Sequence, residues 1–316
     1  MQLEGIHHIS AITGDAAGNV DFYARVLGLR LVAKTVNQDD PSVYHLFYAS
    51  EHGRPGSDMT FFEYPGARRG RPAAGMVHRV VWRVGSSAAL DFWTARLAAE
   101  GITAERAADD VTGRDGLVFA DPEGLGIGLV VADTTDAPLA AHHPEIPSEH
   151  ALLGFEGVRA YTHDPERSRA LLERLMGARE LRPGTWELRG ERRGGTITYD
   201  PAPAGAMAIP GAGTVHHVAW GTTVEDHPAW FARLQQAGVQ SSPIIDRHYF
   251  KAIYYREPSG VLFELSDDEP GFTVDVPLER LGEVVILPPQ LEPHRDAIVA
   301  NLTPLPDPRA SWTTTP

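Results

Sequence analysis

The run Gly5-Ile6-His7-His8-Ile9-Ser10 decides how this chain is read, because it returns near the far end as Val215-His216-His217-Val218-Ala219. Each copy sets a histidine pair in a short apolar run of strand type, and an amphipathic segment of helix type follows. A third piece, Leu262-Phe263-Glu264-Leu265, places one acid inside another apolar run. Two imidazoles and one carboxylate on stiff strands are the donor set of a mononuclear non-haem metal site.

The repetition is wider than the histidines. Sliding the chain by 149 positions lays Ala11-Ile12-Thr13-Gly14-Asp15 on Ala160-Tyr161-Thr162-His163-Asp164, and Arg25-Val26-Leu27-Gly28 on Arg174-Leu175-Met176-Gly177. A second pair is as clear: Gly75-Met76-Val77-His78-Arg79-Val80-Val81-Trp82 matches Gly213-Thr214-Val215-His216-His217-Val218-Ala219-Trp220. Four repeats follow, each a strand, a helix ending at glycine (Gly28, Gly101, Gly177, Gly238) and three short strands, about 55 residues in all. In the first repeat the later strands are expected at Leu29–Val36, Val43–Ala49 and Met59–Phe62. The modules run 1–66, 75–132, 151–203 and 213–270. Halves 1–132 and 151–270 are separated by the Pro-containing stretch Ala132–His150, and the tail 271–316 holds one helix candidate, Pro293–Leu302. His142, His143 and His150 in the connector, and Arg68-Arg69-Gly70-Arg71 in another, are expected to be solvated.

At the position of His8 and His217, the second module has Arg79 and the third Gly157; at the position of Glu264 the second has Gly128. Ligand-type residues therefore survive only in the first and last modules. A single histidine pair on a strand reads more simply as two packed, backbone-bonded rings. Two pairs at equivalent positions, with an acid whose burial calls for a nearby cation, favour a metal. Neighbouring strand residues face opposite ways, so one histidine of each pair enters a cleft. Spacing does not choose between them, although the retention of His78 beside a lost neighbour leans towards His8 and His217. These two and Glu264 leave about three positions open, as in Fe(II) oxygenases, and Mn(II) suits the same donors. Zinc usually fills a tetrahedron, and calcium takes oxygen ligands.

Bulk composition narrows the classes. A net charge of −14 over 316 residues disfavours nucleic acid as a partner. There is no cysteine, which removes disulfides and thiolate chemistry. Hydrophobic residues make up 42% of the chain, enough for a packed core, yet no run approaches the roughly 18 apolar residues of a spanning helix. Neither a membrane association nor a secretory signal is expected, and a cytoplasmic location is.

The two histidine pairs, Tyr44-His45-Leu46-Phe47-Tyr48-Ala49, Gly53-Arg54-Pro55-Gly56, Gly260-Val261-Leu262-Phe263-Glu264, Gly271-Phe272-Thr273 and Leu281-Gly282 together resemble the vicinal-oxygen-chelate superfamily of glyoxalases, bleomycin-resistance proteins and extradiol dioxygenases. The resemblance is strongest to its four-module branch of hydroquinone ring-cleaving dioxygenases. It implies an α+β fold of four βαβββ modules in two curled mixed-sheet barrels, with modules one and four sharing the metal cleft. It implies His8, His217 and Glu264 as ligands, and His7, Ser10, His216, Arg247 and Tyr254 around them. Tyr254 would bond the substrate hydroxyl, and Arg247 or His216 would orient the oxygen species. The expected activity is Fe(II)-dependent extradiol-type cleavage of a hydroquinone- or catechol-like aromatic with O2. A glyoxalase-like isomerase or lyase is the alternative, and it needs a fourth protein ligand, for which Glu63 is the candidate against a solvated hairpin role. A non-catalytic small-molecule binding protein needs no metal triad. Exposed sheet edges make a homodimer an expectation.

Overall fold

Each repeat folds as strand, helix and three strands in the computed structural model, which describes residues 1–305, 307–310 and 312. Module one comprises β1 (Ile6–Thr13), α1 (Ala16–Val20), β2 (Arg30–Asn37), β3 (Asp40–Ala49) and β4 (Asp58–Glu63). Module two comprises β5 (Val77–Val84), α2 (Ser87–Ala99), β6 (Glu105–Ala108), β7 (Asp115–Ala120) and β8 (Gly126–Val131). Module three has β9 (Phe155–Thr162), α3 (Glu166–Arg169), β10 (Arg179–Arg182), β11 (Thr185–Arg189) and β12 (Gly194–Pro201). Module four has β13 (Thr214–Gly221), α4 (His227–Gln236), β14 (Ile245–Asp246), β15 (Lys251–Arg256) and β16 (Leu262–Ser266). The repeat reaches into irregular detail: α1 and α3 both continue as π-helical turns, Asp21–Val26 and Ala170–Leu175, at equivalent positions. Both turns end before a left-handed glycine, Gly28 at φ +72° and Gly177 at φ +78°.

The modules pair across the two halves of the chain. One eight-stranded sheet runs β14-β15-β16-β13-β1-β4-β3-β2, and the other β10-β11-β12-β9-β5-β8-β7-β6. Modules one and four thus share a sheet, joined by the antiparallel seam of β1 and β13. Ile9 faces Val218 there, Ser10 faces His217 and His8 faces Ala219. This seam has local two-fold symmetry, which exchanges His8 with His217 and Ser10 with Ala219. Parallel pairing carries the symmetry one strand outward: Ser10 faces Thr60 on β4, and Ala219 faces Glu264 on β16. Thr60 is therefore the counterpart of Glu264.

Apolar residues on the inner faces fill the core, and Trp82, Trp93, Trp186, Trp220 and Trp230 are each fully buried. The two sheets meet where Gly5, at the start of β1, crosses Gly194 of β12; a side chain on Gly5 would overlap the Gly194 backbone. The turn before β12 also grips the first sheet, since the Glu4 carboxylate accepts from the backbone N–H of Arg192 and Arg193. The tail lies along β2: Ile286 N–H donates to the Lys34 carbonyl at 2.8 Å. Its helix α5 (Arg295–Asn301) falls inside the expected segment. Near its end Arg309 makes a double hydrogen bond to Glu51.

One expectation about the connectors needs correction. His143 is buried, because Ile146 and Gly28 close over it and Trp312 packs on its ring. The arginine-rich connector is exposed, as expected, although Arg69 donates to the Pro122 carbonyl and Arg71 to that of Met207. Among the described residues no helix is long and apolar enough to cross a membrane.

Candidate metal centre

Strand alternation turns His8 of β1 and His217 of β13 to one face of the sheet, and β16 brings Glu264 beside them. The His8 and His217 Nε2 atoms are 3.2 Å apart. Glu264 Oε2 lies 3.3 Å from the first and 2.9 Å from the second. All three residues are buried, and among the described residues they form the one cluster of three donors close enough to share an ion. Ser266 donates to Glu264 Oε1 at 2.5 Å, which fixes the carboxylate so that Oε2 faces the imidazoles.

Electrostatics show what this geometry lacks. Burial favours a neutral Glu264, but the facing His8 and His217 outweigh it and hold the carboxyl well below its ordinary range. Burial likewise lowers His217, with Glu264 opposing. For His8, burial is outweighed by Glu264 and the imidazole is pushed up. The facing imidazoles thus compensate the buried negative charge. A divalent cation does so more fully and also satisfies both Nε2 lone pairs.

The neighbouring histidines set the tautomers. His7 Nδ1 lies 2.9 Å from His8 Nδ1, and His216 Nδ1 lies 2.8 Å from His217 Nδ1. Burial, then His8, lowers His7 to about 3, so it is neutral. Its Nε2 faces Asp268 Oδ1 at 3.6 Å, and neither atom makes a hydrogen bond among the described residues. A proton on His7 Nε2 leaves Nδ1 bare to accept from His8 Nδ1–H, and His8 Nε2 is then free to bind a metal. The same logic makes His216 an acceptor at Nδ1 and leaves its Nε2–H to donate. Asp268 is itself held by Arg192 at 2.7 Å, with Arg193 at 3.5 Å. The orientation of His8 is thereby anchored to the opposite sheet.

A cavity of about 300 Å³ opens beside these donors. Tyr254, paired with Glu264 across β15 and β16, lines it, and Arg247 Nε donates to the Tyr254 hydroxyl at 3.2 Å. Burial, then Glu264, raises the Tyr254 phenol, which stays protonated. His216 lines the same cavity as His217, against the expectation that one histidine of each pair enters it, because register shifts in the β1–β13 seam leave His7 and His216 unpaired and break simple alternation; Ser10 lines it too, with Phe47, Phe62, Tyr249 and Phe250 as aromatic walls.

Glu63 is elsewhere. It pairs with Thr13 at the far end of β4, and its Oε1 accepts the Ala16 N–H at the start of α1 at 3.1 Å. The position matching Glu264 belongs to Thr60, whose hydroxyl lies 2.6 Å from Ser10 Oγ and 3.0 Å from His45 Nε2. Thr60, His45 and Asp268 escape a reading of residue types alone. Carrying the repeat register from Glu264 back into module one would have found Thr60. Asp58, opposite His8 on β4, was also unforeseen; burial pushes its carboxyl up to about 7 against the pull of His8, and neither oxygen has a partner.

Paired βαβββ modules around a buried two-histidine, one-carboxylate cluster define a class of fold and site, and the comparisons with known proteins agree with it. The chain belongs to the Glyoxalase/Bleomycin resistance protein/Dioxygenase superfamily, whose model matches residues 5–129 and 150–265. It is 39% identical to MhqO of Bacillus subtilis, a protein named as a candidate ring-cleaving dioxygenase, over 95% of this chain and 96% of that one. It is 32% identical to the chlorohydroquinone/hydroquinone 1,2-dioxygenase of Sphingobium indicum, over 95% and 96%. A crystal structure of a candidate dioxygenase from Bacillus subtilis superposes with a TM-score of 0.90 at 37% identity, covering 97% of this chain and 98% of the other.

Proposed function

We propose that this chain is a ring-cleaving dioxygenase that holds one Fe(II) between His8, His217 and Glu264 and opens a hydroquinone- or catechol-like ring with O2. The observation that carries the reading is a buried three-donor cluster with a hydroxyl, Thr60, where a fourth protein donor would stand, beside a cavity of about 300 Å³. A four-ligand isomerase would need an acid or imidazole at that position. The same donors accommodate Mn(II), so the preference for iron rests on the chemistry proposed. Fe(II) held there supplies the redox chemistry that couples an aromatic ring to O2.

The chain's own residues would bind, orient and move protons. Phe47, Phe62 and Phe250 would exclude water and give the ring apolar walls. Tyr254 keeps its proton and, with its oxygen already accepting from Arg247, donates to a substrate oxygen. His216 holds a proton at Nε2 at the cavity wall, placed to give it to a developing oxyanion. Arg247 adds positive charge at the same wall, and Ser10 contributes a hydroxyl. His7 acts through His8. The test is anaerobic loading with Fe(II), followed by O2 uptake and product analysis with hydroquinones and catechols. Stoichiometric uptake with a ring-opened product supports the reading, and no uptake across the panel ends it.

A further inference from the structure

His45 is a polar group set in an aromatic clamp. Its ring lies between Phe47 and Phe62, with centroids 4.0 and 4.1 Å away. That clamp fixes the plane, and the 3.0 Å contact from Nε2 to Thr60 fixes the edge. Thr60 is tied in turn to Ser10 at 2.6 Å. The opposite edge, Nδ1, makes no hydrogen bond among the described residues and is not sealed off, and the ring lines the same cavity as His8 and His217.

The symmetry of the seam gives this arrangement its meaning. On the module-four side the position beside the donors is an acid, Glu264; on the module-one side it is Thr60, and its polarity passes outward to His45. The chain Ser10–Thr60–His45 runs in either direction, since each hydroxyl donates once and accepts once. If Thr60 donates to Nε2, Nδ1 carries the hydrogen; if Nε2–H donates to Thr60, Nδ1 is the acceptor. An imidazole that adapts in this way, set among aromatic and aliphatic walls, suits a hydroxyl on an aromatic ring.

We propose that His45 is a specificity-determining residue whose Nδ1 hydrogen-bonds the second hydroxyl of a dihydroxybenzene, the one directed away from His8, His217 and Glu264. The inference rests on the ring-cleaving reading and adds the recognition of that hydroxyl. A catechol turns both oxygens towards the three donors. A para-diol sends the second across the cavity, so His45 favours para-hydroquinones. A site built to bond a hydroxyl discriminates against the analogue that lacks it, because the polar atom facing it, shut off from water by the bound ligand, is then left without a partner.

Binding without turnover separates this role from the chemistry. Fe(II)-loaded protein is titrated anaerobically with hydroquinone and with 4-methylphenol, whose second hydroxyl is a methyl group. His45→Phe should weaken hydroquinone binding about tenfold while leaving 4-methylphenol within about twofold. His45→Gln should recover much of the hydroquinone affinity, and Thr60→Val, which leaves the imidazole in its clamp, should keep the difference between the ligands. Equal loss for both ligands in His45→Phe, or no loss for hydroquinone, overturns the proposal. A wild-type protein that binds both phenols yet takes up no O2 would defeat the dioxygenase reading alone, leaving the His45 contact to stand on the affinity difference.

Discussion

At the scale of single residues, the centre depends on which nitrogen carries each proton. Asp268 faces His7 Nε2 at 3.6 Å, and His7 Nδ1 lies 2.9 Å from His8 Nδ1, so a side chain two contacts removed from the proposed ligands would set the lone pair of His8. Asp268→Asn removes the charge that orients His7, and metal release into a chelator should become about 10- to 100-fold faster, the usual effect of losing an outer-shell partner. An unchanged release rate would show that His8 is oriented by packing alone. Glu63→Ala should behave differently. It deprives the start of α1 of an acceptor, at a cost of about 1 kcal/mol in denaturant unfolding, and leaves metal retention as it was. Loss of metal in that variant would revive Glu63 as a ligand and with it the isomerase. His8, His217 and Glu264 were legible in the sequence because each interrupts an apolar strand where polarity is expensive, and two of them recur at one repeat position. Thr60 and His45 were not. A threonine in a strand is ordinary, and its place opposite Glu264 becomes visible only when β1–β4 and β13–β16 pairings are known.

At the scale of elements, function depends on register. A one-residue slip of β1 against β13 would turn His8 out of the cleft and His7 in. Gly5 helps hold that register, since it lies against Gly194 where the two sheets touch. Gly5→Ala should cost roughly 1–3 kcal/mol of unfolding free energy by overpacking and shift His8, three residues on; urea unfolding reads the first effect and metal titration the second. Unchanged stability would mean that the sheets have room to part. The strands and helices themselves were largely legible, since alternation and glycine stops recur in each module. The π-helical turns at Asp21–Val26 and Ala170–Leu175 were not, because one extra residue in a turn barely alters an amphipathic pattern. The pairing of module one with module four was legible only through the shared ligands, and no local signal in β1 or β13 names its partner.

At the scale of the whole molecule, the second sheet carries no such donor set and serves as a support. Arg79, Gly157, Gly128 and Thr198 occupy its four equivalent positions, while its β11–β12 turn reaches over to Glu4 and Asp268. The tail completes the enclosure: Val285 and Ile286 lie against Lys34 of β2, and Pro288 joins the cavity wall. Arg309 holds the end of the tail to Glu51. Burial pushes the Glu51 carboxyl up, but Arg309 and the His142 N–H outweigh it and keep it at about 2, below the ordinary 4.5. A depressed carboxyl stabilises the fold above its unfolded value and loses that contribution as pH falls from about 4.5 through about 2. Glu51→Gln should therefore raise hydrogen exchange in the tail at neutral pH and flatten the dependence of stability on pH in that window. Tail exchange identical to wild type would place the anchor elsewhere. The connector histidines show the limit of local reading, as His143 is polar in the sequence and buried partly because Trp312, far along the chain, returns to pack on it.

The proposed function rests on one divalent ion held by residues from opposite ends of the chain. Metal content after anaerobic Fe(II) loading and desalting, for the wild type and for Glu264→Ala, tests that most directly. The expected result is one equivalent per chain in the wild type and less than about a tenth in the variant, with both proteins folded. A wild type that retains no metal, or a Glu264→Ala protein that retains a full equivalent, would contradict it.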